Sequence, residues 1–308
     1  MPQAVRYDEF GPRDVLYIAE EARTEPGTGE VSIAVQAVGL NPFDMKARMG
    51  VIPFADPGFP RGICSDFAGV VDAAGADARY FDGTAITIGD EVLGWGDGTL
   101  REQLLVTAGH IVKKPEGVPW EVAGSLTTPG LTAQASIDTL DIGAGDTVLV
   151  SAAAGAVGIL YSQLAIARGA TVVGTASERN HELLRSLGVI PVTYGDGLVE
   201  RVRAAAPDGV TAAQDNFGRE TIDAALALGL PPQRICGIVD HAATAELGLA
   251  SPGRYVRSPA TLLRLAEACR SGDLMLPVQK VFGLDGLDAA FELLEGRHLS
   301  GKVVIAMA

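Results

Sequence analysis

The stretch DTVLVSAAAGAVGILYSQLA, residues 146–165, passes from an apolar β-branched run through alanines and glycines into a helical pattern. Val157, Leu160, Tyr161 and Leu164 recur at helical spacing, so the segment reads as strand, turn and helix. The turn matches A-x-G-x-x-G through Ala153, Gly155 and Gly158, between a strand and a helix, where such a motif carries meaning. Gly155 would let the backbone approach a pyrophosphate, and Gly158 would let the helix pack close to the sheet. The free N–H groups of the helix start, with Ala156 and Val157 among them, would bind the phosphates. Ala153 stands where the first glycine is usual, which is tolerable if its φ is negative. A turn rich in glycine for packing alone is the alternative. The strand before, the helix after and a second strand about twenty residues on favour the cradle.

That second strand, in ATVVGTASERN, ends at Gly174-Thr175-Ala176 with Ser177 next. A site for NAD commonly carries an acid there, for the ribose 2′-OH. Glu178 lies two residues past that place, in the loop or first helical turn. Arg179 can fork onto a phosphate, and Ser177 and Asn180 add donors. NADP(H) is therefore favoured over NAD. The same residues also read as a capped, solvated helix start, and both readings can hold together.

Around this segment, strands alternate with helices from about residue 121. ATVVGTA and VIPVTY read as strands. HELLRSLG (181–188), closed by Gly188, GLVERVRAAA and a segment near 219–228 read as helices, with TAAQDNF and RICGIV between and after them. The alternation implies a parallel, doubly wound sheet. Residues 1 to about 120 read as mostly β. In EVSIAVQAVGL, Val31, Ile33, Val35 and Ala37 share one face and Ser32, Ala34 and Gln36 the other. VIPFADPGFPRG (51–62), with its prolines and glycines, reads as loop. Many short strands with Gly-rich turns suggest a barrel-like domain. PATLLRLAEACRSG reads as a helix starting near Pro259, followed by strand, helix and strand. On pattern alone this tail could close either domain.

The chain has 308 residues and a formal net charge of -14. Such acidity repels phosphate backbones, so nucleic acid and anionic membranes are poor partners. The most apolar stretch, Thr147 to Tyr161, is too short and Gly-rich to span a bilayer. The start MPQAVRYDEF lacks a signal-peptide pattern. Cys64, Cys236 and Cys269 lie far apart without C-x-x-C spacing, which argues against a disulfide framework and fits a cytoplasmic location.

Several motifs in order resemble the medium-chain dehydrogenase/reductase superfamily, in its zinc-independent, quinone oxidoreductase-like branch. They are AVRYDEFGPRDVLYI, GEVSIAVQAVGLNPFDMKARMG, SDFAGVV, IGDEVLGW, VKKPEGVPWEVAGSL, PGLTA, VLVSAAAGAVG and LLEGRHLSGKVVIAM. The resemblance covers nearly the whole chain. It implies an α/β fold with a GroES-like β-barrel domain, residues 1–121 and 260–308, around a Rossmann NADP-binding domain, residues 122–259. It also implies a homodimer, and it assigns the tail to the first domain.

By the same resemblance, Asn41 matches the NPxD segment and is the foremost candidate for a polar, catalytic contact at the nicotinamide or substrate, with a loop residue bonding its own backbone as the alternative. Asp44 is expected to order that loop. Thr128 and Thr132 match a segment lining the nicotinamide ribose, or are ordinary helix and cap positions. Tyr194 matches a tyrosine near the 2′-phosphate, or is a half-buried aromatic at a strand end. Lys302 matches a lysine near the cleft, or is an exposed lysine at a strand start.

Zinc-dependent relatives place a ligand Cys where Asn41 stands, a His where Ser65 stands and a Glu where Asp66 stands, and their Cys-rich lobe is missing. His110, His181, His241 and His298 are dispersed, and three converging zinc ligands cannot be assembled from the sequence. Without a Lewis acid, hydride needs an acceptor that is already electrophilic: a quinone or a C=C bond conjugated to a carbonyl. Relatives often carry a Tyr where Ile52 stands, which puts a tyrosine proton donor in doubt. The reading is a zinc-independent, NADPH-dependent oxidoreductase acting on a small molecule. Two rivals are a tailoring reductase for one unsaturated or imine-bearing biosynthetic intermediate, and a dinucleotide-binding protein without catalysis.

Overall fold

A computed structural model describes residues 1–52, 58–253, 257–296 and 299–307. The chain begins with strands β1 (Gln3–Tyr7), β2 (Tyr17–Glu20) and β3 (Glu30–Gly39) and helix α1 (Pro42–Arg48). Strands β4 (Arg61–Gly62), β5 (Asp66–Ala74), β6 (Glu91–Trp95), β7 (Gln103–Thr107) and β8 (Ile111–Lys113) follow. Helix α2 (Trp120–Leu140) contains Pro129. Next come β9 (Thr147–Val150), α3 (Ala156–Ala167), β10 (Thr171–Thr175), α4 (His181–Ser186) and β11 (Ile190–Val192). Helix α5 (Leu198–Ala205), β12 (Ala212–Asp215), α6 (Arg219–Ala227), β13 (Ile235–Gly237) and α7 (His241–Leu247) complete that region. The tail is α8 (Pro259–Ser271), β14 (Val278–Phe282), α9 (Leu287–Glu295) and β15 (Lys302–Ala306).

Two units result: Met1–Thr128 with Ser258–Ala308, and Pro129–Arg257. The first crossing falls inside α2 rather than after residue 121. The opening turns of the helix belong to the first unit because Thr127 Oγ1 donates to Gly94 O at 3.0 Å and Thr128 N donates to Asp66 Oδ1 at 3.0 Å. Pro129 has no N–H to continue the helical ladder at that point. The second crossing lies at 257/258 rather than 259/260.

In the first unit, β3 is the shared strand. It pairs antiparallel with β5 along one edge; β7 takes residues 30–34 and β15 takes residues 37–39 of the other. The full order is β14-β15-β3-β5-β6-β8, beside a second sheet β2-β1-β4. The alternation read in β3 buries Val31, Ile33, Val35 and Ala37 as expected. Ser32, from the opposite face, is buried too, because β7 covers it and Gln103 Nε2 donates to its Oγ at 2.9 Å. The apolar core gathers Phe67, Leu104, Ile111, Phe291 and Ile305 from strands and tail together. The segment expected as loop between 51 and 62 ends in β4, which pairs with β1; residues 53–57, including Pro53 and Phe54 of the VIPF run, lie outside the described residues.

The second unit is a five-stranded parallel sheet in the order β11-β10-β9-β12-β13. This is the doubly wound, Rossmann arrangement, with the first strand central and the chain reversing direction beside it. Its core packs Leu149, Val173, Ala213 and Ile235 of the strands against Val202 and Ile222 of α5 and α6. Gly188 follows α4 with φ +80°, the left-handed residue that the sequence placed there. Helix α7 escaped the sequence reading, although Asp240 caps it by accepting from Ala243 N and Gly248 closes it at φ +63°.

Candidate functional site

A buried polar centre occupies the first unit. Asn41 precedes α1, Asp66 opens β5, Lys302 opens β15, and all are at most 5% exposed. Lys302 Nζ donates to Asn41 Oδ1 at 2.8 Å and to Leu40 O at 2.7 Å. Asn41 Nδ2 donates to Asp66 Oδ2 at 3.0 Å and to Gly39 O at 3.3 Å. Asp66 Oδ1 accepts from both Thr128 N and Thr128 Oγ1, the latter at 2.5 Å, and Ser65 Oγ lies 3.4 Å from that hydroxyl. The ammonium of Lys302 stands 3.9 Å from Asp66 Oδ2.

Asp44 closes the base of this centre. It accepts from Asn41 N at 2.7 Å, the reverse bond of a capping box, so it orders the loop as expected. Burial raises its carboxyl to about 7 despite that bond, and the negative charge of Asp66 pushes the same way. Burial lowers the ammonium of Lys302, opposed by Asp66, Asp44 and Cys64. Cys64, at φ +72°, lies beside Asp44, and burial pushes its thiol well up.

The sequence reading grouped Asn41, Thr128 and Lys302, and the structure joins them through Asp66, which the sequence had marked only as a replacement. Lys302 is 2% exposed, so the exposed strand-start alternative does not apply. The amide hydrogens of Asn41 are both engaged within the protein.

The second unit carries the cradle. Gly155 N donates to Ala152 O at 2.9 Å, closing the turn before α3. Ala153 avoids positive φ, as required, and the left-handed residue is its neighbour Ala152 at φ +43°. A Cβ on Gly158 would lie 2.4 Å from Ala152 O, so the helix does pack on the turn at a distance only glycine permits. A Cβ on Gly155 would meet Ala152 O alone, at 3.2 Å, which leaves that side of the turn open. No side chain caps α3, and the N–H groups of Ala156, Val157 and Gly158 start the helix. An open glycine and uncapped amides suit a phosphate.

Ser177, Arg179 and Asn180 follow β10, with Asn180 Nδ2 donating to Ser177 Oγ at 3.4 Å. Glu178 falls in a first helical turn there. Tyr194, 45% exposed, follows the adjacent β11, paired with β10 through Thr175 and Val192. Arg201 braces its loop by donating to the carbonyls of Thr193, Tyr194, Gly195 and Asp196. Thr132 is half-buried on α2, in the second unit, one turn from Thr128. Beyond these, Ser151, Asp215 and Asn216 form a hydrogen-bonded knot at the ends of β9 and β12 that the sequence reading missed. An acid and an amide closing a strand, in QDN, was the available signal.

His110, His181 and His241 lie in separate elements, and His298 is outside the described residues. Cys64, Cys236 and Cys269 are free thiols. No helix among the described residues is long and apolar enough to cross a membrane.

Comparison with known proteins agrees with this architecture. The family described as Alcohol dehydrogenase GroES-like domain matches residues 27–116, and the one described as Zinc-binding dehydrogenase matches residues 187–305. A quinone oxidoreductase of Pseudomonas aeruginosa is 27% identical, with 99% of each chain covered. The pikromycin polyketide synthase component PikAII of Streptomyces venezuelae is 31% identical over 94% of this chain, which spans only 8% of that much longer protein. Among solved structures, the quinone oxidoreductase from Coxiella burnetii superposes with a TM-score of 0.89 at 29% identity, covering 100% of this chain and 99% of that one. The CurK enoyl reductase gives 0.85 at 27%, covering 100% and 99%. A mycobacterial protein solved in complex with NADPH gives 0.85 at 27%, covering 99% and 100%. Two family matches in order, a β-rich unit interrupted in sequence by a unit with a five-stranded parallel sheet, and full-length similarity to quinone oxidoreductases show that this chain belongs to the medium-chain dehydrogenase/reductase superfamily and is an oxidoreductase.

Proposed function

We propose that the chain is a zinc-independent oxidoreductase that uses NADPH to reduce a quinone or an α,β-unsaturated carbonyl. The observation that carries this reading is the centre of the first unit. Where the resemblance places a zinc-binding Cys and His, this chain has Asn41 and Ser65, and the carbonyl oxygens of Asn41 and Leu40 hold the ammonium of Lys302 at 2.8 and 2.7 Å. A carboxamide bound to an ammonium is not a donor set for zinc. The acceptor must therefore bring its own electrophilicity.

The bound dinucleotide supplies the hydride. The N–H groups of Ala156, Val157 and Gly158 hold its pyrophosphate beside Gly155. Arg179, Ser177, Asn180 and Tyr194, at the ends of neighbouring strands, take the 2′-phosphate. Thr128 and Thr132 line the nicotinamide ribose. Lys302 fixes Asn41, and Asn41 with Thr128 fixes Asp66, so the polar edge at Thr128 and Ser65 keeps one geometry while charge develops on the acceptor oxygen. Ile52 provides no hydroxyl, so either water protonates the product, or the acceptor is a quinone, or the reaction differs from simple enone reduction.

The purified chain should oxidise NADPH with 1,4-quinones or enones, and a chelator should leave the rate unchanged. Absence of turnover across a broad acceptor panel, with NADPH bound, overturns the reaction assigned. The similarity to a polyketide synthase component and to the CurK enoyl reductase favours a second reading, a reductase for one unsaturated biosynthetic intermediate. Turnover of enoyl thioesters far above quinones would select it. A homodimer and a cytoplasmic location are part of the proposal; light scattering of the purified chain tests the first.

A further inference from the structure

Asn216 donates from both its backbone and its side chain to Ser151, the residue between β9 and the cradle. Its N–H donates to Ser151 Oγ at 2.7 Å, and its Nδ2 donates to Ser151 O at 2.9 Å. Its Oδ1 accepts from Gln214 Nε2 at 2.9 Å. Reversing the amide would set oxygen against Ser151 O and nitrogen against Gln214 Nε2, so the orientation is fixed by the network. Ser151 N donates to Gln214 O at 3.0 Å, and Ser151 Oγ donates to Asp215 Oδ1 at 3.0 Å. Asp215 Oδ1 also accepts from Phe217 N at 3.1 Å and Gly218 N at 2.8 Å, which fixes the backbone that carries Asn216.

The carbonyl gripped by Asn216 belongs to the peptide between Ser151 and Ala152. Ala152 sits at φ +43°, a conformation that an alanine resists. Its own carbonyl accepts from Gly155 N and is the nearest atom to a Cβ built on Gly155 or Gly158. The Ser151–Ala152 peptide held by Asn216 thus enters the turn whose next carbonyl, that of Ala152, meets the start of α3.

We infer that Asn216 is a positioning residue for the dinucleotide: it latches the Ser151–Ala152 peptide in its left-handed turn and so holds the phosphate-binding amides in place. The inference rests on the proposed reading of the cradle. Asp215 accepts from the Ser151 hydroxyl and closes its own loop, whereas Asn216 alone of the two holds the Ser151 carbonyl.

The test uses the whole chain and three variants, Asn216→Ala, Asn216→Asp and Asn216→Ala combined with Ala152→Gly. In the dinucleotide-free protein, hydrogen exchange of residues 152–158 should speed up about tenfold in Asn216→Ala, with the core of β9 and β12 unchanged. The Kd for NADPH, read by calorimetry, should weaken about tenfold, the size of one lost hydrogen bond, while the acceptor KM stays within about twofold of its original value. Asn216→Asp keeps the size but sets an oxygen against Ser151 O, and should weaken NADPH as much as alanine does. Glycine at 152 accepts φ +43° without a Cβ penalty, so against the Ala152→Gly single variant the Asn216→Ala loss should shrink to about threefold or less. Exchange and Kd within twofold of the original chain in Asn216→Ala overturn the inference, as does an equal loss in both backgrounds. If the original chain binds neither NADPH nor NADH, the proposed function fails, and the exchange result alone decides whether Asn216 holds the turn.

Discussion

Ala153 and Gly174 are complementary. A Cβ on Gly174 would lie 2.7 Å from the Cβ of Ala153 and 2.7 Å from Cγ1 of Val189. The alanine in the first glycine position of the cradle is accommodated because the next strand has no side chain opposite it.

Gly174→Ala should therefore lower stability by about 1–3 kcal/mol through overpacking. Adding Ala153→Gly should recover part of that loss. Thermal or urea unfolding of the three variants measures it, and equal losses in both backgrounds would show that Val189, not Ala153, is the obstacle.

Lys302→Met should cost about 3–5 kcal/mol, because Asp66 and Asn41 would keep their buried polar atoms without the ammonium that joins them. Hydride transfer to the acceptor should fall as well. Urea unfolding supplies the first number and stopped-flow decay of NADPH absorbance the second.

Thr128→Val removes the hydroxyl that donates to Asp66 while leaving the backbone bond in place. A hydrogen bond to a buried carboxylate contributes about 1.5–3 kcal/mol. Thr128→Ser retains the donor and should retain most of the stability. Similar losses in the two variants would place the contribution in the methyl group instead.

Asp44 ties stability to pH. Its carboxyl rises from 3.8 to about 7 on folding, so the folded chain binds that proton more tightly than the unfolded chain does. The contribution is full below 3.8 and is lost as pH rises through about 7. Asp44→Asn keeps an acceptor for Asn41 N and removes the titration. Relative to the original chain, its stability should improve as pH rises from 3.8 to about 7 and level off above that, as judged by urea unfolding at each pH. A difference that does not change with pH would refute the assignment.

Arg179→Ala should weaken NADPH binding much more than NADH binding, by about tenfold or more if the guanidinium forks onto the 2′-phosphate. Equal losses for the two dinucleotides would remove Arg179 from that role.

The sequence announced the second unit clearly. β9 and β10 are short β-branched runs, α5 and α6 are amphipathic, and the A-x-G-x-x-G turn has a local cause that leaves a local trace. The tail was opaque to pattern because nothing in KVVIA says which edge it joins; pairing with β3 is a property of three-dimensional register. The same limit hid the polar centre. Asn41, Asp66, Thr128 and Lys302 come from four distant segments; the pairing of β15 and β5 with β3 and the bonding of α2 to Gly94 and Asp66 bring them within hydrogen-bond reach. Ala152 was unreadable for another reason: its left-handed backbone is imposed by neighbours, whereas the letter alanine suggests none. The expectation for Asn41 as a contact to substrate or nicotinamide assumed an open amide, and its burial between Lys302 and Asp66 shifts its proposed part toward holding the others.

The Lys302 ammonium reaches Asn41 from 261 residues further along the chain. During synthesis the second unit emerges entire while β3 still lacks β15 on one edge, and Asn41, Asp44 and Asp66 have no cation beneath them. A nascent chain at that stage keeps two carboxylates hydrated and the sheet unsealed. Sealing the first unit and bringing a cation to its buried carboxylates are thus one event, the docking of β15 on β3, and a chain without β15 would hold a finished parallel sheet and a first unit that cannot close.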